Sequence, residues 1–238
     1  MKDRALYAWI CVAGLLFVAL SVMAHLQTRF FFDLPATLFL QAHRAPWLDA
    51  LMKAVSWPGY FPEFVPMFAL VVALMLLAGW RREAAIMAGA EAVVGIIGFA
   101  LKALVARPRP SDSLVWVNDH LSDPFTFTAG HVHTFMVVYG WIAYLALTRM
   151  RRSALSAGLA AACVAVLLLE GLSRVYLGDH WSSDVLGAYL LGGICLAGEI
   201  AVHRRLGGPA PQPESGTRSR RTATRRRGAR RQARTQQA

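Results

Sequence analysis

Three short clusters hold most of this chain's capacity for chemistry. The first is Lys102-Ala-Leu-Val-Ala-Arg107-Pro-Arg109-Pro110, and the second is Phe127-Thr128-Ala129-Gly130-His131. The third is Ser173-Arg174-Val-Tyr-Leu-Gly-Asp179-His180-Trp-Ser-Ser-Asp184. Together they supply cations, two histidines and a carboxylate four residues after one of them. A carboxylate behind an imidazole fixes its tautomer and stabilises the imidazolium, which primes the free ring nitrogen to attack. His180 and Asp184 share a face if the last helix has begun by His180. Lysine and arginine gathered at one locus suit a phosphoryl group, because guanidinium grips two phosphate oxygens at once. The second histidine, His131, can protonate a leaving oxygen. The sequence shows no carboxylate pattern of the kind that holds Mg²⁺ against phosphate, so this chemistry requires no metal and no other cofactor.

The elements that must position these clusters are apolar and long. Of the 238 residues, 56% are hydrophobic and 16% charged. A soluble domain carries about 25% charged residues, so lipid rather than water surrounds much of this chain. A membrane-spanning helix needs ~20 mostly apolar residues, and six runs meet that need: 5–24, 64–80, 84–101, 132–148, 153–169 and 185–202. None alternates with the period of two that a membrane barrel requires. The expected fold is all-α, a polytopic membrane bundle of about six transmembrane helices. Pro108 and Pro110 stop the third span, leaving Lys102, Arg107 and Arg109 at the membrane edge.

Basic residues follow each even-numbered run, at Arg81-Arg82, at Arg149, Arg151 and Arg152, and from Arg204-Arg205 onward. Lys2 and Arg4 precede the first run. The positive-inside rule then places both termini in the cytoplasm and the loops 25–63, 102–131 and 170–184 outside, with all three clusters. The first run ends in Val22-Met23-Ala24, which has the look of a signal-peptide cleavage site. Its apolar stretch exceeds a usual signal core, and retention as an anchor is expected. Segment 34–57 mixes polar and apolar residues at near-helical spacing and reads as one interfacial helix on the outer surface. Cys11, Cys163 and Cys195 lie in apolar runs and read as small hydrophobes.

Two domains are expected: a membrane domain over 1–205 and an arginine-rich tail over 206–238. The tail has nine arginines against one acid, Glu214, and too few apolar residues to nucleate a core, so disorder is expected. It reads either as a ligand for anionic lipid headgroups, worth ~1 kcal/mol per basic residue, or as a plain topology determinant. Nucleic acid is not an expected partner.

Lys-x6-Arg-Pro, then Gly-His, then Ser-Arg-x5-His-x3-Asp, in that order, resembles the type 2 phosphatidic acid phosphatase superfamily. Those enzymes are membrane lipid phosphate phosphatases and include undecaprenyl pyrophosphate phosphatases of bacteria. The matched core runs from Lys102 to Asp184. The resemblance implies that His180 attacks phosphorus to form a phosphohistidine, with Asp184 hydrogen-bonded behind it. It implies that His131 is general acid for the leaving lipid oxygen and then base for water. Lys102, Arg109 and Arg174 would hold the phosphate oxygens, helped by the Gly130 amide, and Ser173 would be a supporting donor. Arg107 falls between motif positions as a further candidate contact. The implied substrates are polyprenyl pyrophosphates or glycerolipid phosphates, taken from the bilayer at a bacterial inner membrane with the site facing outward.

One departure stands out: the family's usual Pro-Ser-Gly-His is Thr128-Ala129-Gly130-His131 here, so Ala129 lacks a hydroxyl for phosphate. Restoring it with Ala129→Ser is expected to keep or raise activity, with Thr128 supplying a hydroxyl meanwhile. Glu170, four before Arg174, is its expected ion-pair partner, and Glu91 and Glu199 read as helix–helix polar contacts. His120, Asp123 and His133 receive no role. Two other functions stay open on the residues alone. One is a phosphotransferase moving phosphate from lipid to an outer acceptor; the other is a non-catalytic transport or headgroup-binding protein.

Overall fold

The computed structural model describes residues 2–118, 123–151 and 153–208. The expectations for His120 and for residues 209–238 of the tail lie outside the described residues. Eight helices follow in order: α1 (Lys2–Leu26), α2 (Asp33–Gln41), α3 (Pro46–Ser56), α4 (Phe64–Leu77), α5 (Arg81–Val105), α6 (Gly130–Thr148), α7 (Ala154–Tyr176) and α8 (Ser182–Arg205). Their boundaries have local causes. Ser153 and Ser156 form a reciprocal capping box that starts α7. Pro46 opens α3 at a position where its missing amide costs nothing. Ala106 adopts a left-handed backbone at φ 48° after α5, and Pro108 prevents resumption.

Five helices, α1 and α5 to α8, are long and apolar enough to cross a membrane. The run expected over 64–80 is shorter: α4 has 14 residues, about 21 Å of helix against a hydrocarbon core of roughly 30 Å. It qualifies as a sixth crossing only together with residues 46–59, across a bend of 67°. The single interfacial helix expected over 34–57 is instead two helices, α2 and α3, because Pro46 cannot continue α2. Both pack on α7, and α2 also on α8. Cys163 is buried as expected, but Cys11 is exposed on the bundle's outer surface.

Helix α6 is the hub. It packs against α5, α7 and α8, and 56% of its most apolar stretch is buried, compared with 6% for peripheral α1. Val138, Trp141 and Leu145 of α6 join Ala84 and Met87 of α5 in one core cluster, and Val137 joins Val94 and Leu191 in another. Gly192 lets α8 approach: a Cβ there would stand 2.6 Å from the Met136 Cβ and 3.0 Å from the His133 backbone. Outward faces carry exposed Leu15, Ile96, Phe99 and Leu168, the surface a lipid solvent calls for.

The C-terminal ends of α5 and α7 meet the N-terminal ends of α6 and α8, where the Ala129 amide reaches the Asp184 carbonyl and Trp181 Nε1 the Pro108 carbonyl. All three sequence clusters gather there. The opposite end is tied by charge: Glu83 of α5 pairs with Arg149 after α6 and accepts from His203 of α8 at 3.2 Å. Arg82 donates to the Leu206 carbonyl at 2.5 Å.

Candidate active site

The site is assembled on two turns and two helix ends. After α7 the chain reverses at Gly178, whose φ of 73° and whose contact with the Trp116 carbonyl leave no room for a side chain. That reversal returns the Asp179 and His180 amides to the Arg174 carbonyl, at 3.1 and 3.2 Å. His180 therefore sits beside Arg174 and before α8, which begins at Ser182. The expectation that His180 and Asp184 share a helical face is not met, because His180 precedes the helix. The second turn folds 124–126 back on 107–109 through an isolated bridge between Pro108 and Phe125 and a bond from the Thr126 amide to the Arg107 carbonyl, 2.9 Å. Trp181 Nε1 reaches the Pro108 carbonyl at 3.2 Å and locks the two turns together.

Thr126 is the residue that sequence reasoning missed most consequentially. His180 Nδ1 and Asp184 Oδ2 are 4.0 Å apart, and the Thr126 hydroxyl stands between them. It donates to Asp184 Oδ2 at 2.7 Å and so must accept from His180 Nδ1 at 2.9 Å. The expected direct bond from Asp184 to His180 is thus a relay through Thr126. The outcome for the ring is the same: the proton stays on Nδ1, and Nε2 is left as the ring's acceptor.

Behind the relay lies a buried ionic cluster. Asp184 accepts from Arg107 Nη1 at 2.5 Å and from the Trp181 amide at 2.8 Å, an N-terminal capping contact for α8. Arg107 also donates to Asp33 at 2.7 Å, to Ser183 Oγ at 2.7 Å and to the Thr28 carbonyl at 3.1 Å. The Arg107, Asp33 and Asp184 side chains are all fully buried. Arg107, expected as a further phosphate contact, is instead spent on this cluster. Asp33 ties the start of α2 to the start of α8 and had no mark in the sequence.

On the front of His180, Arg109 Nη1 stands 3.4 Å from Nε2 and donates to the Asp179 carbonyl at 2.7 Å. Arg174 reaches Asp179 Oδ2 at 3.1 Å and the Tyr60 hydroxyl at 3.1 Å. Glu170 lies 3.5 Å from Arg174 Nε, the expected partner, although Asp179 is nearer. The His131 ring packs edge-on to Tyr60, centroids 4.6 Å apart, and against Gly59, where a Cβ would collide with it. Its Nε2 has no hydrogen-bond partner among the described residues. Gly130 is the first residue of α6, so its amide is one of the unsatisfied donors of a helix N-terminus, a natural seat for an anion. Lys102 pairs with Asp123, which also receives Arg109 Nε on its carbonyl at 2.7 Å.

Burial, and then Arg109, Arg174, Lys102 and His131 nearby, hold the His180 imidazole well below its ordinary pKa. Burial works upward on Asp123, but the bonds from Lys102 and the Phe125 amide, with the charges of Lys102 and Arg109, together hold the carboxyl low. His180 is therefore neutral and nucleophilic at neutral pH, in a locus that is otherwise cationic. Ser173 does not belong to that locus: its hydroxyl donates to the Glu170 carbonyl at 2.7 Å and meets Ser56 Oγ of α3 at 2.9 Å. Ala129 is fully buried among Val132, Val175, Val185 and Ala188, so its side chain faces apolar packing and not phosphate. The Thr128 hydroxyl is buried and without a partner among the described residues.

The family model of the PAP2 superfamily matches residues 83–207. Phosphatidylglycerophosphatase B of Bacillus subtilis (strain 168) is 29% identical over 152 residues, covering 63% of this chain and 72% of that protein. The transmembrane PAP2-type phosphatidylglycerolphosphate phosphatase from Bacillus subtilis superposes with a TM-score of 0.72 at 24% identity, over 83% of this chain and 96% of that one. Aquifex aeolicus LpxE superposes with a TM-score of 0.59 at 19% identity, over 72% and 96% of the two chains.

Proposed function

This chain belongs to the PAP2 superfamily, and from that premise we propose that it is a membrane phosphatase hydrolysing lipid phosphates or pyrophosphates through a phosphohistidine. The similarity to a phosphatidylglycerophosphatase favours a glycerolipid monophosphate as substrate. One observation carries the mechanism: His180 presents Nε2 beside Arg109, while Nδ1 is held by the Thr126–Asp184 relay. A nucleophile fixed at its back and faced by cations is what in-line attack on a phosphate dianion needs.

In the first step, Nε2 forms a bond to phosphorus and the bond from phosphorus to the lipid oxygen breaks. His131, whose Nε2 is unengaged, gives that oxygen a proton. Arg109, Arg174, Lys102 and the Gly130 amide hold the three equatorial oxygens, where negative charge is concentrated. In the second step, His131 takes a proton from water as its oxygen attacks phosphorus; the nitrogen–phosphorus bond breaks and inorganic phosphate leaves. His180 returns to its neutral form. Every role falls to a side chain or amide of this chain, so the proposed cycle is metal-independent.

The membrane domain spans 1–205, and its basic end, with Arg81, Arg82 and Arg149, faces the cytoplasm. The site then lies at the outer headgroup level of the cell membrane, where a lipid phosphate can enter while its chains stay in the bilayer. The direct test is phosphate release from a lipid panel by purified protein, with and without EDTA. The reading requires turnover in EDTA and none from His180→Ala. Loss in EDTA that Mg²⁺ restores contradicts it, and no release from any lipid removes it.

A further inference from the structure

Asp123 occupies a position that a phosphate-binding site should leave to phosphate. Its Oδ2 is bonded to Lys102, and the same oxygen lies 3.9 Å from Arg109 Nη2. Arg109 faces His180 Nε2 through its other terminal nitrogen, at 3.4 Å. One guanidinium thus has the nucleophile on one side and a carboxylate on the other. The carboxylate is held there: Oδ1 accepts the Phe125 amide at 3.0 Å, and the Asp123 carbonyl accepts Arg109 Nε at 2.7 Å. Lys102 and Asp123 also line a groove of about 470 Å³, whose walls include Gly95, Gly98, Phe99 and Gly130. Phe99 is exposed on α5, so an anionic headgroup that enters this groove meets Asp123 and Lys102.

We propose that Asp123 is a specificity-determining residue: its carboxylate stands in for a substrate oxygen on Lys102, is displaced when phosphate binds, and selects against more highly charged headgroups. For its lipid substrates this rests on the phosphatase reading above. The physical reasoning is short. In the empty site the carboxylate neutralises Lys102 and keeps it oriented. Once displaced, its fixed backbone holds the negative charge close by, so it repels the incoming anion. That repulsion grows with the anion's charge, so a diphosphate is penalised more than a monoester. Asp123 therefore trades affinity for discrimination in favour of monophosphates.

The test uses the full chain in detergent micelles, as wild type, Asp123→Asn, Lys102→Gln and the double variant. Asparagine keeps an oxygen for the Phe125 amide while losing the charge. In one arm, equilibrium binding of inorganic phosphate and inorganic pyrophosphate is measured by calorimetry. Asp123→Asn is expected to bind phosphate about two- to fivefold more tightly, the range of a partly exposed ion pair, and to gain more on pyrophosphate. The gain should shrink in the Lys102→Gln background, where only the direct repulsion by Asp123 is left to relieve. In the second arm, KM is compared for a lipid monophosphate and the diphosphate of the same lipid; Asp123→Asn should lower both, the diphosphate more. A misfolded variant cannot produce tighter binding. Unchanged or weaker anion binding in Asp123→Asn, or a gain as large without Lys102 as with it, overturns the proposal even if lipids are hydrolysed normally. Predicted anion binding with no lipid turnover by any variant leaves the Asp123 role standing and removes the phosphatase reading instead.

Discussion

Thr126→Val is the sharpest probe of how the nucleophile is prepared. Valine keeps the shape of the side chain and deletes the hydroxyl that joins His180 Nδ1 to Asp184 Oδ2, at 2.9 and 2.7 Å. Asp184 loses least, because Arg107 and the Trp181 amide still hold it. His180 loses the acceptor for its Nδ1 proton in a fully buried place. In the resting site that bond is between neutral groups and worth ~0.5–1.5 kcal/mol. As Nε2 bonds to phosphorus the ring gains positive charge, and the bond becomes charge-assisted, worth ~1.5–3 kcal/mol. Only the strengthening specific to the transition state, about 1–1.5 kcal/mol, lowers the barrier, so kcat should fall by roughly five- to thirteenfold with KM little moved. Thr126→Ser keeps the hydroxyl and should retain most of the activity. The assay is steady-state phosphate release from a lipid phosphate in micelles for the three proteins. A valine variant as active as the wild type, or a serine variant as damaged as valine, would refute the relay.

Three further outcomes are expected. Arg107→Ala leaves Asp33 and Asp184 buried without their cation, which should destabilise the fold by ~3–5 kcal/mol and lower the melting temperature in detergent; an unchanged transition contradicts the buried cluster. Because burial and the neighbouring cations depress the His180 pKa, the neutral, attacking ring persists as pH falls through the ordinary value of about 6.5. Protonation at the lower folded pKa then ends attack, so the acid limb of kcat/KM should lie below that value and move up in Lys102→Gln. A wild-type limb at or above the ordinary histidine value would show the depression to be absent. The same sign makes His180 a stability cost as pH falls from the unfolded pKa towards the folded one. Ala129→Ser puts a hydroxyl among Val132, Val175, Val185 and Ala188, so a loss of ~1–3 kcal/mol in stability and no rise in activity are expected; a several-fold gain would restore the sequence-based expectation.

The sequence made legible what depends on spacing along one helix or turn. Lys102, Arg109, Gly130, His131, Arg174 and His180 all lie at the ends of helices that apolar length alone could delimit. Their convergence follows from the packing of those ends. What stayed hidden depends on contacts across the chain. Asp33 bonds Ser183 from 150 positions away, and nothing at the start of α2 marks it. Thr126 is one of two threonines in Phe125-Thr126-Phe127-Thr128, and only the fold-back onto 107–109 decides which meets His180. Ser173 was read from its neighbour Arg174, yet adjacent residues on a helix point about 100° apart, and Ser173 faces Ser56 of α3. The run 64–80 extends past α4 because apolar composition continues through Ala78, Gly79 and Trp80, where Gly79 at φ 77° has already ended the helix.

The central claim is that phosphate passes through His180, and rapid-quench trapping tests it most directly. Wild-type protein is mixed with a lipid phosphate labelled at phosphorus, in EDTA, and quenched in alkali within one turnover. The account predicts a protein-bound phosphoryl group that is stable in base and labile in acid. It should map to the peptide bearing His180 and be absent from His180→Ala. Full single-turnover phosphate release with no label on the protein, or a label on any other residue, would contradict it.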